Sequence, residues 1–156
     1  MIDAMKYDYI YSEAVEIITG KKDDGTKFLS KDTLCVAVTE DDKLYSAFNT
    51  INMVDGKPVT GSSEKEVIKK ISGGDGSKRI EAMITMNCVE MIPVLPAQED
   101  VDEIIKLDKY NAATYVVSPN NKYISLTSTA SRSILQSLLH GTASQLQEST
   151  VALNTL

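Results

Sequence analysis

Two helix starts, each directly after a run that reads as a strand, constrain this chain more than anything else in it. The first is Thr60-Gly61-Ser62-Ser63-Glu64-Lys65-Glu66-Val67-Ile68-Lys69-Lys70-Ile71. Ser63 and Glu66 stand at the spacing of a capping box, in which hydroxyl and carboxylate each satisfy a free backbone N–H. Val67, Ile68 and Ile71 form an apolar stripe, and Gly73-Gly74 is expected to end the helix through left-handed backbone. The second start is Leu95-Pro96-Ala97-Gln98-Glu99-Asp100-Val101, with Pro96 suited to the first helical position. Val101, Ile104 and Ile105 make its buried face, and the helix runs to about Leu107. Stripes of this kind must be buried against another element.

The remaining pattern supplies a sheet. Residues 3–19 read as a helix, with Tyr7, Ile10, Ala14 and Ile17 at helical spacing and Gly20 closing it. Lys21 to Asp32 is charged and reads as an exposed loop. Residues 33–39 and 44–50 are β-rich runs joined by Glu40-Asp41-Asp42-Lys43, which predicts a hairpin. Residues 51–61, with Asp55-Gly56 and Pro58, are expected to form a loop. Arg79 to Val89 reads as a central strand, apolar on both faces. Residues 113–118 and 122–128 give two more strands around Pro119-Asn120-Asn121. Ser131 or Ser133 can cap a last helix carrying Ile134, Leu135, Leu138 and Leu139, stopped by Gly141. Helices between strands predict one three-layer α/β/α domain over residues 1–141 with a mixed five-stranded sheet. Residues 142–156 are expected to be a C-terminal tail or an oligomer contact.

Composition narrows the function classes. With 156 residues, 42% of them hydrophobic, the chain can bury a full core. Sixteen basic against 22 acidic residues give a formal charge of −6, which disfavours nucleic acid or an anionic membrane as partner. No run approaches the ~20 apolar residues needed to cross a bilayer. The first residues lack a basic start followed by an apolar run, so no secretory signal is expected and the cytoplasm is the expected location. Cys35 and Cys88 are read as reduced core residues, since two distant thiols imply neither a disulfide scaffold nor a zinc site.

The element order and its local sequences resemble the cytidine deaminase family, from about residue 3 to residue 139. Leu34 to Thr39 followed by Lys43 to Asn49 is similar to that family's first two strands, and Asn49 falls on its sugar-holding asparagine. Thr60-Gly61-Ser62-Ser63-Glu64 falls where the family has a cysteine or histidine, an alanine and the catalytic glutamate. Pro96-Ala97-Gln98-Glu99-Asp100 falls on its P-C-x-x-C, and residues 115–126 resemble its closing strand pair.

In such enzymes a zinc ion activates water and the glutamate moves the proton. Carried over by this resemblance, the zinc positions become Ser62, Ala97 and Asp100, Glu64 keeps the general acid/base place, and Ile51 replaces an acidic residue. A hydroxyl, a methyl group and one carboxylate do not supply the N/S donors of zinc sites. Metal-bound water ionises near pH 7 against about 15.7 for bulk water, and at ~1.4 kcal/mol per unit Glu64 alone does not replace that activation.

The expectation is therefore a non-catalytic protein of this fold with no cofactor and no bound metal. It binds a small nucleoside-like ligand through Asn49, Ser62, Ser63, Glu64, Ala97 and Asp100, or acts through self-association as a homodimer or homotetramer. One alternative is a metal-independent hydrolase or transferase, or a residual nucleoside deaminase, using Glu64 as its catalytic group beside Asn49. Another is a purely structural interaction domain. In its bland reading Glu64 is a first-turn carboxylate favoured by the helix dipole, as are Glu99 and Asp100. A hard-cation site built from these three carboxylates has no specific spacing to support it. His140, the only histidine, lies on the last helix, which would have to fold over the pocket to serve Ser62 or Ser63 as a base.

Overall fold

The computed structural model describes residues 4–127. The elements, in chain order, are α1 (Ala4–Asp23), β1 (Thr33–Thr39), β2 (Leu44–Phe48), β3 (Thr50–Val54), β4 (Lys57–Gly61), α2 (Ser63–Gly73), β5 (Ile80–Asn87), β6 (Pro93–Val94), α3 (Gln98–Leu107), a 3-10 turn (Lys109–Ala113), β7 (Tyr115–Val117) and β8 (Tyr123–Ser125). The strands order β2-β1-β5-β7-β8, with the two-residue β6 beside β5. Only β5–β7 is parallel; the other pairs are antiparallel. The sheet is thus mixed, as the pattern predicts, and β3–β4 form a separate two-stranded ribbon.

Strand alternation builds two cores, one on each face. Leu34, Val36 and Val38 of β1 and Ala82, Ile84 and Met86 of β5 face Ile10, Ala14 and Ile18 of α1. Cys35, Ala37 and Met83 face the other way, against Val67 and Ile71 of α2 and Val101 and Ile104 of α3. This is the expected three-layer α/β/α arrangement. Ile18, rather than Ile17, is the fully buried third residue of α1.

The structure corrects several boundaries. Gly20 does not close α1, which continues to Asp23; the left-handed residue is Gly25 (φ 92°). A glycine inside a helix costs only about 1 kcal/mol, so it need not stop one. Helix α2 ends without left-handed backbone, because Gly74 has φ −91° and ψ 172°. Its last carbonyls are met by the Lys78 ammonium, which donates to Ile71 O and Gly74 O at 2.7 Å, where the helix dipole favours a cation. Pro96 sits before the N-cap Ala97 rather than at the first helical position.

Residues 51–61 are not a loop. Asp55 (φ 52°) and Gly56 (φ 77°) both adopt positive φ, as a two-residue type I′ turn requires, and they join β3 to β4. Pro58 had argued against a strand, but it faces outward on the edge of the ribbon, where a missing N–H breaks no ladder bond. The expected last helix from residue 131, its His140, and the expected tail at 142–156 lie outside the described residues.

Asn111 fastens the site side of the sheet to the turn after α3. Its buried amide accepts from Ile80 N at 2.7 Å and donates to Lys78 O and Ile104 O, both at 3.0 Å. Asn111→Ala strands two buried backbone groups, Ile80 N and Ile104 O, and one half-buried one, Lys78 O; at ~1–3 kcal/mol for each buried unmet group the change lowers unfolding free energy by about 3 kcal/mol in urea titration. A loss below about 1 kcal/mol contradicts this role.

Candidate functional site

The two helix starts meet. Ser62, extended at φ −66° and ψ 155°, is the N-cap of α2, and its Oγ accepts from Lys65 N at 3.1 Å. The capping residue is thus Ser62 and not Ser63, which begins the helix itself; the capping box does not form. The Ser62 hydroxyl also donates to Asp100 Oδ1 at 2.8 Å, tying the first turn of α2 to the first turn of α3. Asp100 is buried, and Ala97 at the α3 N-cap is exposed and offers no side-chain cap.

Beneath this junction lies a second polar group. Glu64 is buried at 5% exposure, and Ser63 Oγ donates to its Oε1 at 3.1 Å. Thr85 of β5 lies near the Glu64 carboxyl and the Cys35 thiol, where its hydroxyl favours the ionised form of each. Cys35 and Thr85 sit opposite each other in the β1–β5 register, so sheet pairing aims both at Glu64. On the far side, the Ser63 hydroxyl meets Thr33 Oγ1 at 2.8 Å. Thr33 N donates to Asn49 Oδ1 at 2.9 Å, and Asn49 Nδ2 donates to Asp32 Oδ1 at 3.1 Å. A continuous chain of hydrogen bonds thus runs from Asp32 and Asn49 to Glu64.

The six sequence-derived positions fall in three different settings. Ser62 and Asp100 bond directly, Ser63 and Glu64 belong to the buried network, and Asn49 joins that network through Thr33. Ala97 contributes only its place at the start of α3. Sequence reasoning missed Thr33, Asp32 and Thr85. Thr85 alone carried a signal, as a polar residue inside the apolar run Ile80–Met86.

Burial pushes the Glu64 carboxyl above its ordinary range, and the nearby Asp100 charge adds to this against bonds from its own backbone N–H, Ser63 and Thr85. Asp100 is also raised by burial, opposed by the Ser62 bond and the Lys65 charge. The Cys35 thiol is pushed well up, first by burial and then by the charges of Glu64 and Asp100, so it stays protonated. Both cysteines are free and buried, as the sequence implies.

These groups do not fit a zinc ion. The Ser62 hydroxyl is engaged by Asp100 and Lys65 N, Ala97 presents a methyl group, and the only thiol nearby is held neutral. Among the described residues no three His, Cys, Asp or Glu side chains gather to hold a metal. The three-carboxylate cation site does not form either. Glu99 is exposed and pairs with Lys65, while Glu64 and Asp100 turn inward.

Two shallow cavities adjoin Asn49. One, of about 300 Å³, is lined by Lys21, Thr26, Phe28, Asp32, Phe48 and Asn49, among others. Its neighbour, of about 450 Å³, shares Lys21, Phe48 and Asn49 and extends to Glu66 and Lys70. Phe28 and Phe48 stack with centroids 5.6 Å apart and give this groove its apolar wall.

A raised carboxyl pKa stabilises the fold in its protonated form. The contribution of Glu64 is fully present below the unfolded pKa and is lost as pH rises through the higher folded value. Glu64→Gln keeps an acceptor for Ser63 and removes the charge. The variant therefore gains stability relative to the parent at pH 7.5, and the difference shrinks toward pH 4 in thermal unfolding. A variant that loses stability at both pH values would show that the ionised carboxylate holds the network. Ser62→Ala removes both the cap and the Asp100 donor, and lowers stability by about 1–3 kcal/mol in urea titration.

No protein-family model and no curated protein matches the sequence. Solved structures do match in shape. The cytidine deaminase of Mycobacterium leprae aligns at 14% identity over 79% of this chain and 95% of its own, with a TM-score of 0.60. The cytidine deaminase of Mycobacterium tuberculosis aligns at 14% identity over 83% of this chain and 94% of its own, with a TM-score of 0.61. With the α/β/α layers and the mixed sheet order described above, these likenesses establish that the chain has a cytidine deaminase-like fold.

Proposed function

We propose that this protein is a non-catalytic bearer of the cytidine deaminase-like fold that binds a small, neutral, nucleoside-like molecule and self-associates. The observation that carries the first part is the Ser62–Asp100 hydrogen bond. Two side chains that would have to turn toward a shared ion turn toward each other, and each satisfies the other. Glu64 is likewise hydrogen-bonded within the protein, through the Ser63 hydroxyl. A general acid or base also needs an open path to substrate, and Glu64 is 5% exposed.

The groove beside Asn49 supports the binding part. Pockets that hold small molecules pair apolar walls with a few convergent polar groups. Here Phe28 and Phe48 supply the wall. The Asn49 amide has two N–H donors and gives one to Asp32, which leaves the second for a ligand. Ser62, Ser63, Glu64 and Asp100 then act from behind as the network that fixes Thr33 and Asn49, with Ala97 at the rim. Lys21, Lys27 and Lys70 line the groove together with Asp32 and Glu66, a near balance of charge that suits a neutral ligand better than a highly charged one. The nucleoside class comes from the similar structures, whose names make them enzymes acting on cytidine. A cytoplasmic location belongs to the same reading. It is supported by two unpaired, buried cysteines, and among the described residues no helix is long and apolar enough to cross a membrane.

Thermal-shift titration with cytidine, uridine and free bases tests the binding. Saturation at ten times Kd adds about 1.4 kcal/mol of stability, a shift of roughly 3 °C for a domain of this size. Asn49→Ala is expected to abolish the shift while the fold persists. Elemental analysis together with a cytidine turnover assay tests the non-catalytic part, with less than a tenth of an equivalent of zinc and no product expected. One equivalent of zinc with turnover lost in Glu64→Gln would overturn it.

A further inference from the structure

The β3–β4 ribbon has no buried residue on either strand. Ile51, Met53, Val54 and Val59 are 61%, 67%, 51% and 49% exposed. Ile51 pairs with Thr60 and Met53 with Pro58 on one side; Val54 and Val59 lie on the other. An isolated two-stranded ribbon is marginal in water, yet this one has an Asp-Gly turn suited to its twist and a regular register. Its base is tight as well. A Cβ at Gly61 would fall 2.5 Å from Glu66 Oε2 and 2.7 Å from Thr50 Oγ1, so any larger residue there has to displace these side chains.

The two edges of the ribbon are not equivalent. With Val54 opposite Lys57 across a two-residue turn, the bonded pairs are 54–57, 52–59 and 50–61. The backbone groups of residues 51, 53, 58 and 60 therefore point outward. On β4 one of these is Pro58, which has no N–H, and Lys57 stands next to it; both are devices that block strand addition. On β3 they are Ile51 and Met53, with free N–H and C=O groups, no charge and no proline. Among the described residues, β3 pairs only with β4.

From this edge we infer that a second copy of the chain docks, β3 against β3 in antiparallel pairing about a twofold axis at Asn52. The inference rests on the self-association part of the proposed function and names its surface. In that register Ile51 faces the partner's Met53 and Met53 the partner's Ile51. The outward groups of both residues then exchange four backbone hydrogen bonds, and the ribbons become one four-stranded sheet. A twofold contact needs a surface complementary to itself, and this edge is one. Charge also selects it. Two copies at −6 repel over most of their surfaces, whereas residues 50–61 carry one acid, Asp55, and one base, Lys57. One strand pair covers less than the ~800 Å² per partner of a stable interface, so the association depends on protein concentration in the micromolar range.

Sedimentation velocity on the full chain from 1 to 200 μM tests this, with hydrogen exchange read at single amides. The parent is expected to pass from monomer to dimer. Exchange at the Ile51 and Met53 amides should slow as concentration rises, while the Asn52 and Val54 amides, bonded to β4, stay protected throughout. Met53→Pro removes an outward N–H as Pro58 already does, and Met53→Lys adds an edge charge. Each weakens dimerisation at least tenfold and, because the ribbon stands off the main sheet, leaves thermal unfolding within a few degrees of the parent. A parent that stays monomeric overturns both the inference and the self-association it rests on. Dimers that survive both substitutions overturn the β3 surface and leave self-association standing. Protection of Ile51 and Met53 at every concentration means that the chain's own residues cover the edge, which also overturns the inference.

Discussion

The antiparallel pairing of β1 with β5 is the constraint on which everything else rests. Its register sets Cys35 opposite Thr85 and Leu34 opposite Met86. Because side chains alternate across a strand, that register sends one set of residues to α1 and the other to α2 and α3. A slip of one residue would move Thr85 into the apolar layer under α1 and leave Glu64 above a methionine. The two cores and the polar network are thus consequences of a single strand pairing.

That pairing also explains how two carboxylates come to be buried together, with the Lys65 charge acting on Asp100 alone. Each helix presents unpaired N–H groups in its first turn, which favour negative charge. The cap of α2 supplies a hydroxyl to Asp100, and the sheet supplies Thr85 to Glu64. Burial nevertheless raises both carboxyls, so the hydrogen bonds only partly offset desolvation. A metal ion would reverse that balance, but the residues in reach of both helix starts give it no suitable donor set. The site is a polar junction that closes on itself, and the groove open to ligands lies to one side, around Asn49.

Much of the fold was legible because its signals are local. The apolar run of β5, the hairpin of β1 and β2 and the stripes of α2 and α3 each stand out in a short window. The resemblance built on those elements singled out Asn49, Ser62, Ser63, Glu64, Ala97 and Asp100; hydrogen bonds join Ser62 to Asp100 and Asn49, through Thr33 and Ser63, to Glu64. The failures were also local, but of another kind. Gly20 and Pro58 were read as punctuation, whereas each is tolerated where it stands because no needed bond or left-handed backbone depends on it; Gly73-Gly74 does end α2, but without left-handed backbone. Ser62 and Ser63 were interchangeable as caps by type, and only the backbone angles separate them.

What the sequence determined by itself is the inventory: which segments alternate or spiral, where the acidic residues fall, and that no histidine or cysteine stands at the helix starts. These follow from residue type and spacing, which chain folding does not alter. What only the tertiary structure decided is which polar groups satisfy one another. Ser62 meets Asp100 across 38 positions and Thr33 meets Ser63 across 30, contacts that exist because the sheet brings distant segments together. The same holds for the β3–β4 ribbon. Its turn was written in Asp55-Gly56, but that both its faces remain in solvent is a property of where the sheet ends.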